Sequence, residues 1–102
     1  MVMHNPPHPG EFITEVYLKP NKLSGRELAA KLDVSASTLH RILKGKSGIS
    51  PDMALRLAKA LGRAPESWLA LQYNHDLWQA KRYVKLGKVR KVRLKANGTD
   101  MY

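Results

Sequence analysis

Residues 23–46, LSGRELAAKLDVSASTLHRILKGK, contain two short segments with the periodicity of amphipathic helices. Ser24 and Glu27 have the S-x-x-E spacing of a capping box, which predicts that a helix begins there. Ser35 offers a second N-cap, and Gly45 is a residue type that commonly follows the end of a helix. The stretch therefore predicts two helices joined by a tight turn.

The predicted turn lies at Asp33 and Val34. Turns of this kind usually need a residue in the left-handed conformation, most often glycine. Asp is among the few other residue types that tolerate this conformation, so the turn remains feasible.

The second predicted helix buries an apolar stripe and exposes short hydroxyls, an imidazole and cations. Such groups suit hydrogen bonding to DNA base edges and phosphates, and a helix in the major groove presents its N-terminal end to the bases. The predicted base contacts are Ser35, Ser37, Thr38, His40 and Arg41. The predicted phosphate contacts are Arg26, Lys44 and Lys46. The alternative is that these cations only solubilise a surface helix.

Length, charge and cysteine content limit the classes to which this protein can belong. A chain of 102 residues with a net charge of +10 is expected to form one domain and to bind a polyanion or an acidic protein surface. The absence of Cys excludes disulfides and thiolate metal sites. Neither a secretory signal nor a run of ~20 apolar residues is evident, so we expect a cytoplasmic protein with no membrane partner.

No motif indicates catalysis or a cofactor. The sequence has no H-E-x-x-H, no glycine-rich phosphate loop and no nucleophile motif. His4 and His8 have a spacing that could bind a metal on a helix, but the prolines between and beside them prevent that helix. We therefore predict that the chain is not an enzyme and holds no metal.

The rest of the chain predicts three more helices, at about 10–18, 51–61 and 65–80, after a flexible arm at 1–9. Pro65 lacks a capping residue before it, because Ala64 occupies that position. The last helix carries two apolar rows, one with Trp68 and Trp78 and one with Tyr73 and Leu77. This is more apolar surface than one edge of a five-helix core needs, so part of it is expected to meet another chain. The alternative is that both Trp side chains complete the core.

A basic tail follows at 81–102, with eight Lys or Arg against one Asp, Asp100, for a net charge of +7. Three interpretations are open: a solvated tail, a short strand around 89–94 that adds to another chain's sheet edge, and an arm that tracks phosphates.

Three blocks resemble the Cro/C1-type (XRE) helix-turn-helix family and, within it, the HigA-type antitoxins. They are HPGEFI at 8–13, LAAKLDVSASTLHRILKGKSGIS at 28–50, and PDMALRLAKALGRAPESWLALQ at 51–72, followed by YNHDLW. The resemblance covers residues 8–80 and implies an all-α, lambda repressor-like domain of five helices, with its recognition helix at 35–44. Ala64 and the basic tail depart from the shared pattern.

The same resemblance implies a homodimer that represses its own operon at a palindromic operator on double-stranded DNA. Its implied partner is a RelE/HigB-like toxin, a ribosome-dependent mRNA endonuclease. The implied dimer contacts are Trp68, Leu71, His75 and Trp78. The alternatives are a stand-alone XRE repressor without a toxin, and a protein-interaction or RNA-associated module that uses the basic tail.

Overall fold

The computed structural model describes residues 5–95 and contains five helices in this part of the chain. They are α1 (Pro9–Ile13), which continues directly into a π-helical turn (Thr14–Leu18), α2 (Gly25–Leu32), α3 (Ala36–Leu43), α4 (Pro51–Leu61) and α5 (Pro65–Tyr83). The predicted all-α, five-helix fold is confirmed. His4 and Asp100 lie outside the described residues.

Side-chain caps start the helices of the central stretch. Ser24 Oγ accepts a hydrogen bond from the Glu27 N–H at 3.1 Å, and Glu27 Oε1 accepts one from the Ser24 N–H at 3.1 Å. The predicted capping box is therefore present. Ser35 Oγ accepts the Thr38 N–H and Ser50 Oγ accepts the Met53 N–H, so simple side-chain caps start α3 and α4, whereas Ala64 leaves α5 without a side-chain cap.

The first and last helices differ from prediction at their ends. A cap from His8, whose Nδ1 accepts the Gly10 N–H at 2.9 Å, starts α1 one residue earlier, at Pro9. At its other end, α5 reaches Tyr83, three residues beyond the predicted end. Two cations, Lys81 and Arg82, occupy its last turn, where they interact favourably with the negative end of the helix dipole.

The core is made of apolar side chains from every helix. Ile13, Leu28, Leu39, Leu57 and Trp68 are each at most 1% exposed. The Trp68 Nε1–H donates to the Gly62 carbonyl at 2.9 Å, which satisfies the polar atom of this completely buried side chain. Trp68 is thus a core residue.

A glycine sets the distance between α1 and α3. A Cβ atom added at Gly10 would lie 2.0 Å from the Ile42 carbonyl oxygen and 2.8 Å from the Leu43 Cα. The N-terminal turn of α1 therefore packs directly on the backbone of α3, and only glycine permits this approach.

The described part of the tail, residues 84–95, contains no strand. Within it, the Val89 N–H donates to the Leu86 carbonyl at 3.0 Å and closes a turn. Since a strand needs a neighbouring edge to pair with, the strand considered at 89–94 does not form within this chain. Among the described residues, no helix is long and apolar enough to cross a membrane.

Candidate nucleic-acid interface

The turn between α2 and α3 fixes the angle at which α3 leaves the domain. Asp33 has φ 57° and ψ 47°, the left-handed conformation predicted for it. The Asp33 N–H donates to the Ala30 carbonyl at 3.2 Å and the Val34 N–H to the Ala29 carbonyl at 3.1 Å. These two bonds form a Schellman motif, which satisfies carbonyls that the end of α2 would otherwise leave unpaired.

Arg56 on α4 holds the same turn from outside. Its Nη1 donates to the Leu32 carbonyl at 2.9 Å and to the Asp33 carbonyl at 3.0 Å. Its Nε donates to Asp52 Oδ1 at 2.6 Å, and this hydrogen bond raises the pKa of the guanidinium. We call these contacts the Arg56 clamp. The sequence does not predict this clamp, because α4 carries only a packing pattern and no neighbouring residue indicates which distant carbonyls Arg56 contacts.

The outer face of α3 presents polar and charged side chains. Ser37, His40 and Arg41 are exposed, while Leu39 and Ile42 on the opposite face are buried. The helix therefore has one face fixed in the core and one face free of the rest of the described chain.

The hydroxyls at the start of α3 are partly engaged within the helix. Ser35 Oγ accepts the Thr38 N–H at 3.1 Å and donates to Thr38 Oγ1 at 2.8 Å. Thr38 is half-buried, and Ser37 Oγ lies 3.3 Å from Ser35 Oγ. Ser35 is thus a helix cap first, and the freer hydroxyl at this end is that of Ser37.

A groove of about 490 Å³ separates the start of α2 from α3. Arg26 lines it from α2, and Ser37 and His40 line it from α3. The structure therefore brings Arg26, predicted from sequence as a phosphate contact, alongside two of the predicted base contacts.

The other two predicted phosphate contacts lie at the C-terminal end of α3. Gly45 has φ 74°, and the Lys46 N–H donates to the Arg41 carbonyl at 2.8 Å, so a second Schellman motif ends the helix. Lys44 and Lys46 are both exposed on this turn. Cations from three places, the start of α2, α3 itself and this turn, thus surround one face.

Two histidines connect the segment before α1 to α5. The rings of His8 and His75 meet edge to face with centroids 5.1 Å apart, and His75 Nδ1 lies 3.0 Å from the Pro6 carbonyl oxygen. Burial and then the neighbouring His75 lower the pKa of His8. The neutral form of His8 is the one that can accept the Gly10 N–H, so the cap of α1 depends on it.

The predicted dimer residues divide into buried and half-buried positions. Trp68 is wholly inside the protomer, which corrects its assignment to a dimer contact, because no surface of it is left for a partner. Leu71, His75 and Trp78 are half-buried. The exposed apolar surface of α5 lies instead on the neighbouring row, where Tyr73 is 74% and Leu77 is 55% exposed.

A helix-turn-helix with a cationic outer face defines the class of protein. Residues 16–69 match the family described as helix-turn-helix, and the chain belongs to this family in its XRE type. It is a DNA-binding, antitoxin-like regulator and not an enzyme.

The relatives narrow this class to regulators and antitoxins. The chain is 36% identical over 92 residues to the uncharacterized HTH-type transcriptional regulator YddM of Escherichia coli K12, covering 90% of this chain and 97% of that protein. It is 34% identical over 80 residues to antitoxin HigA-1 of Vibrio cholerae, covering 78% and 75%.

Solved structures of antitoxins are also similar to this chain. Antitoxin GraA superposes with a TM-score of 0.83 at 38% identity, covering 88% of this chain and all of that one. The Pseudomonas aeruginosa antitoxin HigA, solved with the higBA promoter, superposes with a TM-score of 0.72 at 36% identity, covering 76% and 84%. The structural neighbours of this chain are thus HigA antitoxins.

Proposed function

We propose that this protein is a dimeric antitoxin that neutralises an mRNA-endonuclease toxin and represses its own operon. The observation that carries the proposal is the polar, cationic outer face of α3, which core packing and the Arg56 clamp hold in place. The chain is also similar to antitoxins over most of its length. In the cell it acts in the cytoplasm, and on the nucleoid when it is bound to its operator.

In this proposal α3 reads the operator. Arg41 pairs its guanidinium with guanine O6 and N7, a contact worth ~1–3 kcal/mol against a wrong base. Ser37 and His40 contact neighbouring base edges, and Ser35 and Thr38 support the start of the helix. Arg26, Lys44 and Lys46 neutralise phosphates on either side, which makes affinity fall with salt.

The proposed dimer forms through α5. The exposed row with Tyr73 and Leu77 would be buried between two copies, with Leu71, His75 and Trp78 on its border. Two-fold symmetry then places two copies of α3 in successive major grooves, so the operator should have half-sites about 10 bp apart or a multiple of that distance.

The DNA part is tested with a duplex from the protein's own promoter and a shuffled duplex of equal length. At about 0.15 M salt, we expect the promoter duplex to bind at least ~10³-fold more tightly, as specific sites do. Equal affinities for the two duplexes would overturn the proposed repression.

The toxin part is tested separately by co-expressing the protein with the product of the neighbouring gene. We expect a stable complex on co-purification and the relief of growth arrest. The control is Arg41→Ala, which should lose operator preference. It should still relieve the arrest if toxin binding does not use the outer face of α3.

A second candidate function is a stand-alone repressor without a toxin. The similarity to YddM, a transcriptional regulator matched along almost its whole length, favours this candidate. Operator binding with neither a co-purifying neighbour product nor relief of growth arrest would establish it in place of the antitoxin.

A further inference from the structure

Residues 81–95, which we call the basic arm, hold the densest charge in the chain. They contain eight cations and no acidic residue, and all of them are exposed. The cations are Lys81, Arg82, Lys85, Lys88, Arg90, Lys91, Arg93 and Lys95. Lys81 and Arg82 belong to the last turn of α5, where the Arg82 guanidinium lies 4.7 Å from the Trp78 ring centroid. Residues 84–95 lie beyond this helix, and their side chains are exposed.

The arm follows a helix that is tied to the loop after the C-terminal end of α3. In the middle of α5, Gln72 Oε1 accepts the Ile49 N–H at 2.9 Å, which ties α5 to the loop after α3. One turn later, His75 contacts His8, whose ring also packs near Gly45. From His75 to the end of α5 at Tyr83 is about 12 Å along the helix axis. The part of the arm beyond α5 therefore begins about 12 Å along the helix axis from the contact of α5 with His8, whose ring lies beside Gly45.

The length of the arm allows it to leave the domain and follow a duplex. Beyond α5, residues 84–95 can reach up to ~40 Å when extended. The chain measures 56 × 27 × 26 Å, so this reach is longer than the two short dimensions of the molecule. Cations spaced every one to three residues along such a segment can meet successive phosphates, because duplex DNA carries a charge every ~1.7 Å of its axis.

We propose that the basic arm binds the phosphodiester backbone of the DNA that flanks each operator half-site. This site is independent of sequence and adds affinity and salt dependence to the reading by α3. The inference rests on the proposed function for the position of the operator, but the contact itself requires only duplex DNA near the domain.

The test compares two arm variants that differ in what they remove. The charge variant carries Lys85→Ser, Lys88→Ser, Arg90→Ser and Arg93→Ser. The matched control carries Leu86→Ser, Val89→Ser, Val92→Ser and Leu94→Ser, which removes exposed apolar side chains and keeps every cation. Both sets lie outside the core, and unchanged melting temperatures check that the domain is intact.

Each protein is titrated into an operator duplex with and without ~10 bp of random flanking sequence, one helical turn, on each side. The native protein should bind the longer duplex more tightly, and the charge variant should lose this gain. The slope of log K against log salt is negative, and its magnitude should be smaller in the charge variant by about 3 to 4, because each lost phosphate contact removes about 0.9. The apolar control should behave like the native protein.

Equal binding of both duplexes by the native protein would overturn the proposal, as would a charge variant with an unchanged salt slope. Loss of the flank effect in the apolar control alone would also overturn it and assign the arm to an apolar partner surface. A different result would separate this proposal from the proposed function. The native protein would show no operator preference, and the charge variant would bind random DNA more weakly than the native protein does. In that case the arm binds DNA and the proposed function fails.

Discussion

Gly10 is the residue at which the first helix touches the helix proposed to read DNA. Its missing side chain lets the start of α1 lie against the Ile42 carbonyl, so α3 is held from behind by backbone contact as well as by the core packing of Leu39 and Ile42. A binding helix held in this way keeps its outer residues in fixed positions, which lowers the ordering cost of recognition.

Gly10→Ala should lower the free energy of unfolding by ~1–3 kcal/mol, because the new methyl group meets backbone that cannot move aside easily. Thermal unfolding measures this change. Gly25→Ala is the matched control, since its added Cβ would meet only a Leu43 methyl group at 3.4 Å. Equal stability of the two variants would contradict the close approach at Gly10.

Arg41 and Lys44 should respond differently to removal, because one is assigned to a base and the other to a phosphate. Arg41→Ala should reduce the preference for operator over shuffled DNA by ~1–3 kcal/mol. Lys44→Ala should weaken both duplexes about equally and lower the salt slope by about 1. Titration of both duplexes at several salt concentrations measures the two effects, and the reverse pattern would exchange the roles.

At the scale of elements, the angle between α2 and α3 depends on one left-handed residue and one distant arginine. The Schellman motif at Asp33 sets the turn locally, and the Arg56 clamp ties two of its carbonyls to α4. The outer face of α3 is thus positioned in part by Arg56 on α4, which is not itself one of the proposed DNA contacts.

Arg56→Met keeps much of the aliphatic stem and removes all donors to the turn. We expect a lower melting temperature and weaker operator binding, although Arg41 and the phosphate contacts are unchanged. Lys59→Met, an exposed cation on the same helix, is the control and should leave operator preference as it is. If both variants bind the operator like the native protein, Arg56 does not position α3.

The cap of α1 predicts a pH dependence of stability. The pKa of His8 is lowered from its ordinary value of 6.5, so the folded state favours the neutral ring. The unfolded chain therefore binds the proton more readily, and the stabilising contribution, full above pH 6.5, is lost as pH falls below that value.

His8→Asn offers an acceptor for the Gly10 N–H that does not titrate. Its melting temperature should fall less than that of the native protein between pH 7.5 and pH 5.5, about one unit either side of the ordinary histidine pKa. His40→Asn, a change on the exposed face of α3, should retain the native pH dependence. An unchanged pH profile in His8→Asn would exclude His8 as the titrating group.

At the scale of the whole molecule, α5 is the helix through which we propose that two copies associate. One face of this helix closes the core through Trp68, and the neighbouring row leaves Tyr73 and Leu77 exposed. An apolar row beside a completed core is typical of a surface that another copy covers.

Leu77→Lys should weaken dimerisation by at least tenfold, because a hot-spot residue at the centre of an interface contributes ~2 kcal/mol or more. Light scattering across a concentration series measures the dimer fraction. Leu55→Lys is the control, since Leu55 is 62% exposed on α4 and is not one of the residues proposed for the interface. A dimer that is unaffected by Leu77→Lys and disrupted by Leu55→Lys would place the interface on α4.

The sequence by itself determined the five helices, the capping box at Ser24, the left-handed turn at Asp33 and the polar outer face of α3. These features depend on residues within about four positions of one another, so caps and apolar periodicity are enough to predict them. The exposure of Ser37, His40 and Arg41, the side chains proposed to contact bases, was predictable for the same reason.

Only the tertiary structure decided which distant groups meet. Arg56 reaches a carbonyl 24 residues away, and His75 lies against Pro6, 69 residues away. The close approach at Gly10 and the burial of Trp68, which sequence had assigned to a dimer contact, arise likewise from how the helices pack. Periodicity shows that a helix has an apolar face, but two adjacent apolar rows on α5 are equivalent until packing selects the one that enters the core.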